Sequence, residues 1–206
     1  KGVDIIQSLA YLKFTDYNIF HPLFVHPYFI GHVRKPVVVT IYDMNHDRFP
    51  SMLPKAEAVQ MKERLVCKRA DAIIAISEET KLDLMKYHQI PEEKIHVVYL
   101  GCDQDLITTD KNKMHEKDYI LYIGGRGGYK NFTTFLKGFS MLRGDVDLVC
   151  TGVPFNHSEL SLIKELGLQD RVYQQFVSDQ ELNNLLCNAM AFVYPSLGEG
   201  FGIPLL

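Results

Sequence analysis

The chain has 206 residues, 47% of them hydrophobic, 23% charged and 11% aromatic, with a formal net charge of −3. That composition excludes disordered, collagen-like and low-complexity classes, and no apolar run approaches the ~18 residues that a membrane helix needs. A small negative charge also argues against a protein whose main partner is the nucleic-acid backbone. At roughly 100–200 residues per domain, the length allows one large domain or two small ones.

Apolar runs of about five residues recur along the chain, several of them followed by helical periodicity. In the first half, β-branched content and flanking turn residues predict strands at Asn18–Phe20, Val37–Ile41, Ala72–Ile76 and His96–Leu100. A helix is predicted over Lys55–Arg69, with Ala58, Met61 and Leu65 on one face, and a second from Glu78 to about His88. Ser77 is placed to cap the second, and Glu78 and Glu79 stand where the helix dipole favours negative charge. Gly101 to Lys117 is polar, charged and aperiodic, as a linker would be.

The second half reads more sharply. A strand at Tyr119–Ile123 runs into a Gly-rich turn, Gly124 to Asn131, and then into a helix with Phe132, Phe135, Leu136, Phe139 and Leu142 on one stripe. Val146–Cys150 is the next strand, followed by a helix near Ser158–Leu166 that Gly167 stops. After a strand at Val172–Phe176, Ser178 and Glu181 form a capping box that opens a helix with Leu182, Leu185, Leu186 and Ala189 on one side. Ala191–Tyr194 is the last strand, and Leu197 to Pro204 follows it.

Strand–helix alternation at this spacing implies parallel sheets with right-handed crossovers, and uniformly apolar strands imply burial on both faces. The break near 101–117 splits the alternation in two. The expectation is an α/β chain of two doubly wound parallel-sheet domains facing across a cleft, residues 1–102 and 118–206 joined by a 103–117 linker. In such sheets ligands bind at the carboxyl ends of the strands.

The four cysteines lie 35 or more positions apart with no CxxC pair, which points to buried thiols rather than disulfides or zinc. None of the eight histidines falls in HExxH or a zinc-knuckle spacing, and His21 and His26 each precede a proline, as in a rigid loop.

Two segments carry chemistry. Gly124–Asn131 opens a helix after a strand, a geometry in which backbone N–H groups and the helix dipole cradle phosphate. It is neither a Walker A loop, because Tyr129 stands before Lys130, nor a GxGxxG fingerprint. Arg126 and Lys130 add two cations suited to a diphosphate leaving group, although a tight turn with solvated charges reads equally well from these residues alone. In Glu199-Gly200-Phe201-Gly202-Ile203-Pro204 a carboxylate is followed by glycines that admit close backbone approach, and Pro204 suits the first turn of a helix.

The stretches GGRGGYKN and EGFGIP resemble the donor-binding signatures of the family 4 retaining glycosyltransferases. The phrases IFHPLFVHPYF, VVVTIYDMNHDRFP, ADAIIAISEET and HVVYLGCD resemble successive segments of that family's acceptor-side domain. The likeness runs from about Asn18 to Leu206 and is strongest to bacterial cell-surface polysaccharide transferases, many of them mannosyltransferases. It implies the GT-B fold, two Rossmann-like domains, both incomplete in this chain. It also implies that Arg126 and Lys130 hold the donor diphosphate while Glu199 bonds donor-sugar hydroxyls. Backbone at Gly125, Gly200, Phe201 and Gly202 would close on sugar and phosphate, and Val177 would meet the nucleobase. His21, Tyr42, Asp43 and Ser77 would lie on the acceptor side. The donor would be a GDP- or UDP-sugar and the acceptor a glycan or lipid-linked glycan, with no metal or other cofactor. A cytoplasmic location would follow, with a peripheral membrane contact if the acceptor is lipid-linked. The basic cluster Lys62, Arg64, Lys68 and Arg69 is otherwise a solvated helix face.

Two departures from the pattern matter. Many relatives have His-Asp where this chain has Tyr42-Asp43; a tyrosine donates one hydrogen bond but cannot act as an imidazole, and His46 offers only a nearby substitute. The family's second Glu, eight positions after the first, would fall just past Leu206. Since two complete doubly wound domains need roughly 300 residues, the expectation is a truncated chain, inactive alone, whose parent transfers a hexose, with mannose favoured. The competing readings are a non-catalytic nucleotide-sugar-binding scaffold and, more remotely, a nicotinamide-dependent dehydrogenase.

Overall fold

The structure, a computed structural model, describes residues 2–22, 24–101 and 114–205, without the side chains of residues 2–4. Cys102 and residues 103–113 of the expected linker lie outside the described residues. Two compact units result, one of residues 1–101 with 199–202 and the other of 102–198 with 203–206.

The first unit contains helices α1 (Gly2–Phe14), α2 (Asn45–Arg48), α3 (Ala56–Arg69) and α4 (Glu78–His88) and strands β1 (Val38–Ile41), β2 (Ala72–Ala75) and β3 (Ile95–Val97). The strands form a parallel sheet in the order β1-β2-β3, with Val38 opposite Ala72 and Ile73 opposite Ile95. The expected strand at Asn18–Phe20 shrinks to one bridge between Phe20 and Val37. Pro22, two residues on, has no N–H to continue the ladder. Helix α1 covers a stretch to which the sequence reading assigns no element.

The expected apolar face of α3 is reversed. Ala58 is exposed, as are Met61 and Leu65 at 66% and 47%, and the buried residues are Ala56, Glu63, Val66 and Cys67. That buried stripe keeps helical spacing, but a glutamate sits in its middle, which disguises it in the sequence. Arg69 is not solvated either. Its Nη1 donates to Asp71 Oδ2 at 3.0 Å and its Nη2 to the Val33 carbonyl at 2.9 Å, while Asp71 Oδ2 also accepts from the Val37 amide at 2.8 Å. These bonds hold Asp71 below the ordinary carboxylate range, the Val37 amide first among them, and fasten the starts of β1 and β2 together.

The second unit contains β4 (Tyr119–Ile123), α5 (Phe132–Ser140), β5 (Asp147–Thr151), α6 (His157–Glu165), β6 (Val172–Gln175), α7 (Asp179–Asn188) and β7 (Ala191–Val193). All four strands are parallel in the order β6-β5-β4-β7. Helices cover both faces. Phe132, Leu136, Phe139 and Ile163 pack with Tyr122, Leu148 and Cys150, whereas Leu185 packs with Tyr119, Leu121 and Val149. Leu142 lies beyond α5 and is 41% exposed, so the expected stripe stops one turn early. Helices α6 and α7 each start in a capping box, from Asn156 and Ser178. Gly167, at φ 68°, turns the chain after α6.

Cys67 and Cys150 are buried, and burial pushes both thiols up to about 12, so neither is a nucleophile near neutrality. Cys187 is exposed, contrary to the expectation of four buried thiols.

Candidate functional site

In the second unit the chain leaves β4 in one direction to β5 and reaches β7 on the opposite side, so the strand order reverses between β4 and β7. A doubly wound sheet opens a crevice at the carboxyl ends of the two strands that flank such a reversal. Those ends lead into Gly124–Asn131, singled out in the sequence, and into residues 194–198, which precede the second such segment, Glu199–Pro204.

The first segment is a compact turn. Gly124 and Gly128 adopt φ 96° and 51°, and Asn131 is left-handed at φ 59°, the conformations that glycine and asparagine tolerate best. Gly125 presents its carbonyl to the Tyr122 hydroxyl at 2.7 Å. Asn131, the N-cap residue of α5, makes no side-chain cap and donates instead through Nδ2 to the Pro195 carbonyl at 3.2 Å. The Leu197 amide donates to the Tyr129 carbonyl at 2.8 Å. The two strand-end segments are thus clasped to each other, and the first amides of α5 stand at the crevice. Lys130 lies there too, its Nζ over the rings of Tyr129 and Tyr194 at 5.1 and 5.6 Å.

Arg126 behaves differently from Lys130. Its side chain is 2% exposed, and its Nε donates to Glu159 Oε1 at 3.0 Å. Its Nη2 donates to the carbonyls of Val153 and Pro154 at 2.6 and 3.0 Å, and its guanidinium lies 4.8 Å from the Phe155 ring centroid. Glu159 closes the capping box of α6, accepting from the Asn156 amide at 2.8 Å. Arg126 therefore ties the Gly-rich turn to the start of α6, while its Nη1 is buried without a hydrogen-bond partner among the described residues. The i, i+3 pair Asn156 and Glu159 was a legible signal for this anchor. Val177 is half-buried against the Leu185 side of the core, and Phe176 before it is 88% exposed at the carboxyl end of β6.

In the first unit, Tyr42 and Asp43 follow β1 and Ser77 follows β2, so all three lie at the carboxyl edge of the sheet. His21 reaches the same edge, its Nε2 2.9 Å from Thr40 Oγ1. Tyr42 is 49% exposed, whereas Asp43 Oδ1 accepts from the Asn45 amide at 2.9 Å and Ser77 Oγ accepts from the Thr80 amide at 3.1 Å. Asp43 and Ser77 thereby shape the turns that carry them. His46 is half-buried, with its carbonyl taken by Gln60 Nε2 at 2.6 Å. The aromatic segment Phe20–Phe29 is largely packing: Phe29 is fully buried, with its ring 5.1 Å from Phe20 and 5.7 Å from Tyr28.

Glu199, Gly200, Phe201 and Gly202 are half-buried and belong to the first unit. A Cβ on Gly200 would collide with the Tyr42 carbonyl oxygen, and Phe201 stacks near Tyr99 with centroids 5.9 Å apart. Gly202 is at φ 86°, which again requires glycine. These glycines serve close packing and turn geometry here.

The family model described as Glycosyltransferase Family 4 matches residues 5–106, and the one described as Glycosyl transferases group 1 matches residues 103–206. The chain belongs to the family 4 glycosyltransferases. It is 28% identical to the O-antigen chain mannosyltransferase RfbU of Salmonella typhimurium, over 81% of this chain and 47% of that protein. Identity to O-antigen chain mannosyltransferase B of Escherichia coli is 27%, over 97% of this chain and 56% of that protein. The chain thus spans about half the length of these curated relatives. Among solved structures, Anabaena Alr3699/HepE, captured with UDP and glucose, superposes with TM-score 0.77 at 15% identity over 98% of this chain and 58% of that one. Sucrose-phosphate synthase from Thermosynechococcus elongatus gives 0.73 at 16% identity over 98% of this chain and 56% of that one. These likenesses establish the GT-B class of α/β fold.

The sequence reading missed one constellation altogether. Asp47 on α2, Glu63 on α3 and His88 at the end of α4 bring their polar atoms within 4.8 Å of one another in the interior of the first unit. Burial, followed by the nearby Asp47 and Asp43 carboxylates, pushes Glu63 up to about 8. Burial also lowers His88, against the pull of Asp47. The signal was there: a carboxylate at the core-facing spacing of an otherwise apolar stripe.

Proposed function

We propose that the whole protein is a retaining glycosyltransferase that moves a hexose, mannose by the names of its curated relatives, from a nucleotide-diphosphate sugar to a surface glycan or lipid-linked glycan. The observation that carries this reading is the Gly-rich turn at the β4/β7 reversal, where α5 starts without a cap from its N-cap residue Asn131 and Lys130 lies beside it. Backbone donors and a helix dipole at a switch point suit a diphosphate.

In this reading Lys130 and the α5 amides hold the diphosphate and stabilise it as charge grows on the leaving oxygen. Arg126 acts as a positioning residue, holding the turn against α6. Glu199 bonds donor-sugar hydroxyls, and Tyr42 and His21 belong to the acceptor side. The bond between the anomeric carbon and the phosphate oxygen breaks, the acceptor oxygen bonds to the same face of that carbon, and the acceptor proton passes to the departing phosphate. Positioning and electrostatics carry the rate, and no metal is needed at the diphosphate. The donor is a GDP- or UDP-sugar, and the enzyme works on the cytoplasmic side, with peripheral membrane contact where the acceptor is lipid-linked.

Calorimetric titration with GDP and UDP tests the donor site. One of the two binds, and Lys130→Ala weakens it about 10- to 100-fold through loss of a charge-assisted contact. Binding of neither nucleotide, or unaltered binding by the variant, refutes the assignment. Nucleotide binding without sugar transfer to any lipid-linked or glycan acceptor favours the scaffold reading, which the substitution of Tyr42 for the family's common histidine keeps open.

A further inference from the structure

Asp47, Glu63 and His88 come from three different helices and serve no role in the site above. His88 and Asp47 side chains are 0% and 5% exposed, and Glu63 is 8% exposed. His88 Nε2 lies 3.2 Å from Asp47 Oδ1. Yet Asp47 Oδ2, Glu63 Oε2 and His88 Nδ1 are all buried with no hydrogen-bond partner among the described residues. Two carboxyl groups and an imidazole closed off from water, with three polar atoms unsatisfied, form an expensive arrangement that a proton alone leaves half-satisfied. A divalent cation would match the charge of the two carboxylates and bind their oxygens together with His88 Nε2, leaving Nδ1 as the protonated nitrogen on the far side of the ring.

We propose that Asp47, Glu63 and His88 form a structural metal site in the interior of the first unit, with zinc as the ion that suits it. One imidazole with two carboxylates is a borderline donor set used for zinc, whereas magnesium and calcium sites are built from oxygen alone. Zinc bonds of 2.0–2.1 Å put tetrahedral donors about 3.4 Å apart. The 3.2 Å between His88 Nε2 and Asp47 Oδ1 is already close to that separation. The donor set as a whole lies within 4.8 Å, so an ion would draw its atoms together by up to about 1.4 Å. The consequence reaches the strand edge. Helix α2 begins two residues after Asp43, so an ion joining α2, α3 and α4 would brace the turn that carries Tyr42 and Asp43.

The test is zinc titration of the chelator-stripped chain in competition with a chromogenic chelator. One zinc ion per chain binds tightly, and Glu63→Gln and His88→Gln, with far-ultraviolet circular dichroism intact, each weaken it at least about 100-fold. Cys187→Ser leaves binding unchanged. X-ray absorption of the zinc-loaded unmutated chain shows imidazole nitrogen and oxygen around the ion, a readout that needs no variant to fold. The proposal is overturned if zinc fails to bind at one equivalent, if both folded variants bind as tightly as the parent, if Cys187→Ser abolishes binding, or if sulfur surrounds the ion.

Discussion

At the scale of single residues, two cations on one short turn make different contacts. Arg126 gives its Nε to Glu159 and its Nη2 to two carbonyls, so Arg126→Ala leaves a largely buried carboxylate with the Asn156 amide but without its cation. Breaking a buried pair costs about 3 kcal/mol or more, and urea unfolding should read that loss. On the proposed donor-site role, Lys130→Ala should weaken nucleotide binding far more than it lowers stability, and urea unfolding beside calorimetric titration of the same variant separates the two effects. Glu63 gives a pH signature. Its folded-state pKa is about 8 against 4.5 for the ordinary carboxyl, so the folded chain holds more protons between those values. Stability attributable to Glu63 therefore falls as pH rises from about 4.5 to about 8, by a few kcal/mol at most. His88, lowered by burial, works in the opposite sense below its ordinary 6.5. The informative quantity is the difference between the parent and Glu63→Gln, measured by urea unfolding in chelator at several pH values. That difference should shift in favour of the variant as pH rises, and a pH-independent difference would contradict it.

At the scale of elements, α3 shows how a helix chooses its face. Val66 and Cys67 are fully buried and Leu65 is 47% exposed, although leucine is the most hydrophobic of the three positions in bulk. Val66→Ala should cost about 2 kcal/mol through lost methyl burial and the cavity it leaves, while Leu65→Gln stays within about 0.5 kcal/mol. Thermal unfolding of the two variants, compared with the parent, checks the assignment of the face. Helix α7 was easier to read. Ser178 and Glu181 satisfy each other's backbone amides in the fold as their spacing requires, and Ser178→Ala should cost about 1 kcal/mol. Local capping chemistry depends on residues three apart, so the sequence displays it directly. The facing of α3 depends on neighbours such as Phe29, Val39, Ile41 and Leu84, which its local pattern does not contain.

At the scale of the whole molecule, the donor site proposed above lies at the β4/β7 reversal of the second unit. Nucleotide at ~100 times its dissociation constant should stabilise the fold by about 2.7 kcal/mol. Hydrogen exchange should slow across residues 124–135, and uniform protection with no focus there would count against the donor site. The alternation of strands and helices, the parallel sheets, the two capping residues Ser77 and Ser178, and the Gly-rich turn were all determined by the sequence alone, because each rests on short-range periodicity or on a fixed local spacing. Three things were decided only by the tertiary structure: that Arg126 turns inward to Glu159, that α3 buries Glu63 in place of Met61 and Leu65, and that Asp47, Glu63 and His88 meet. Each depends on residues 16 to 41 positions apart being brought into one low-dielectric interior. There desolvation and the need for a partner, rather than local propensity, select where a charged side chain goes.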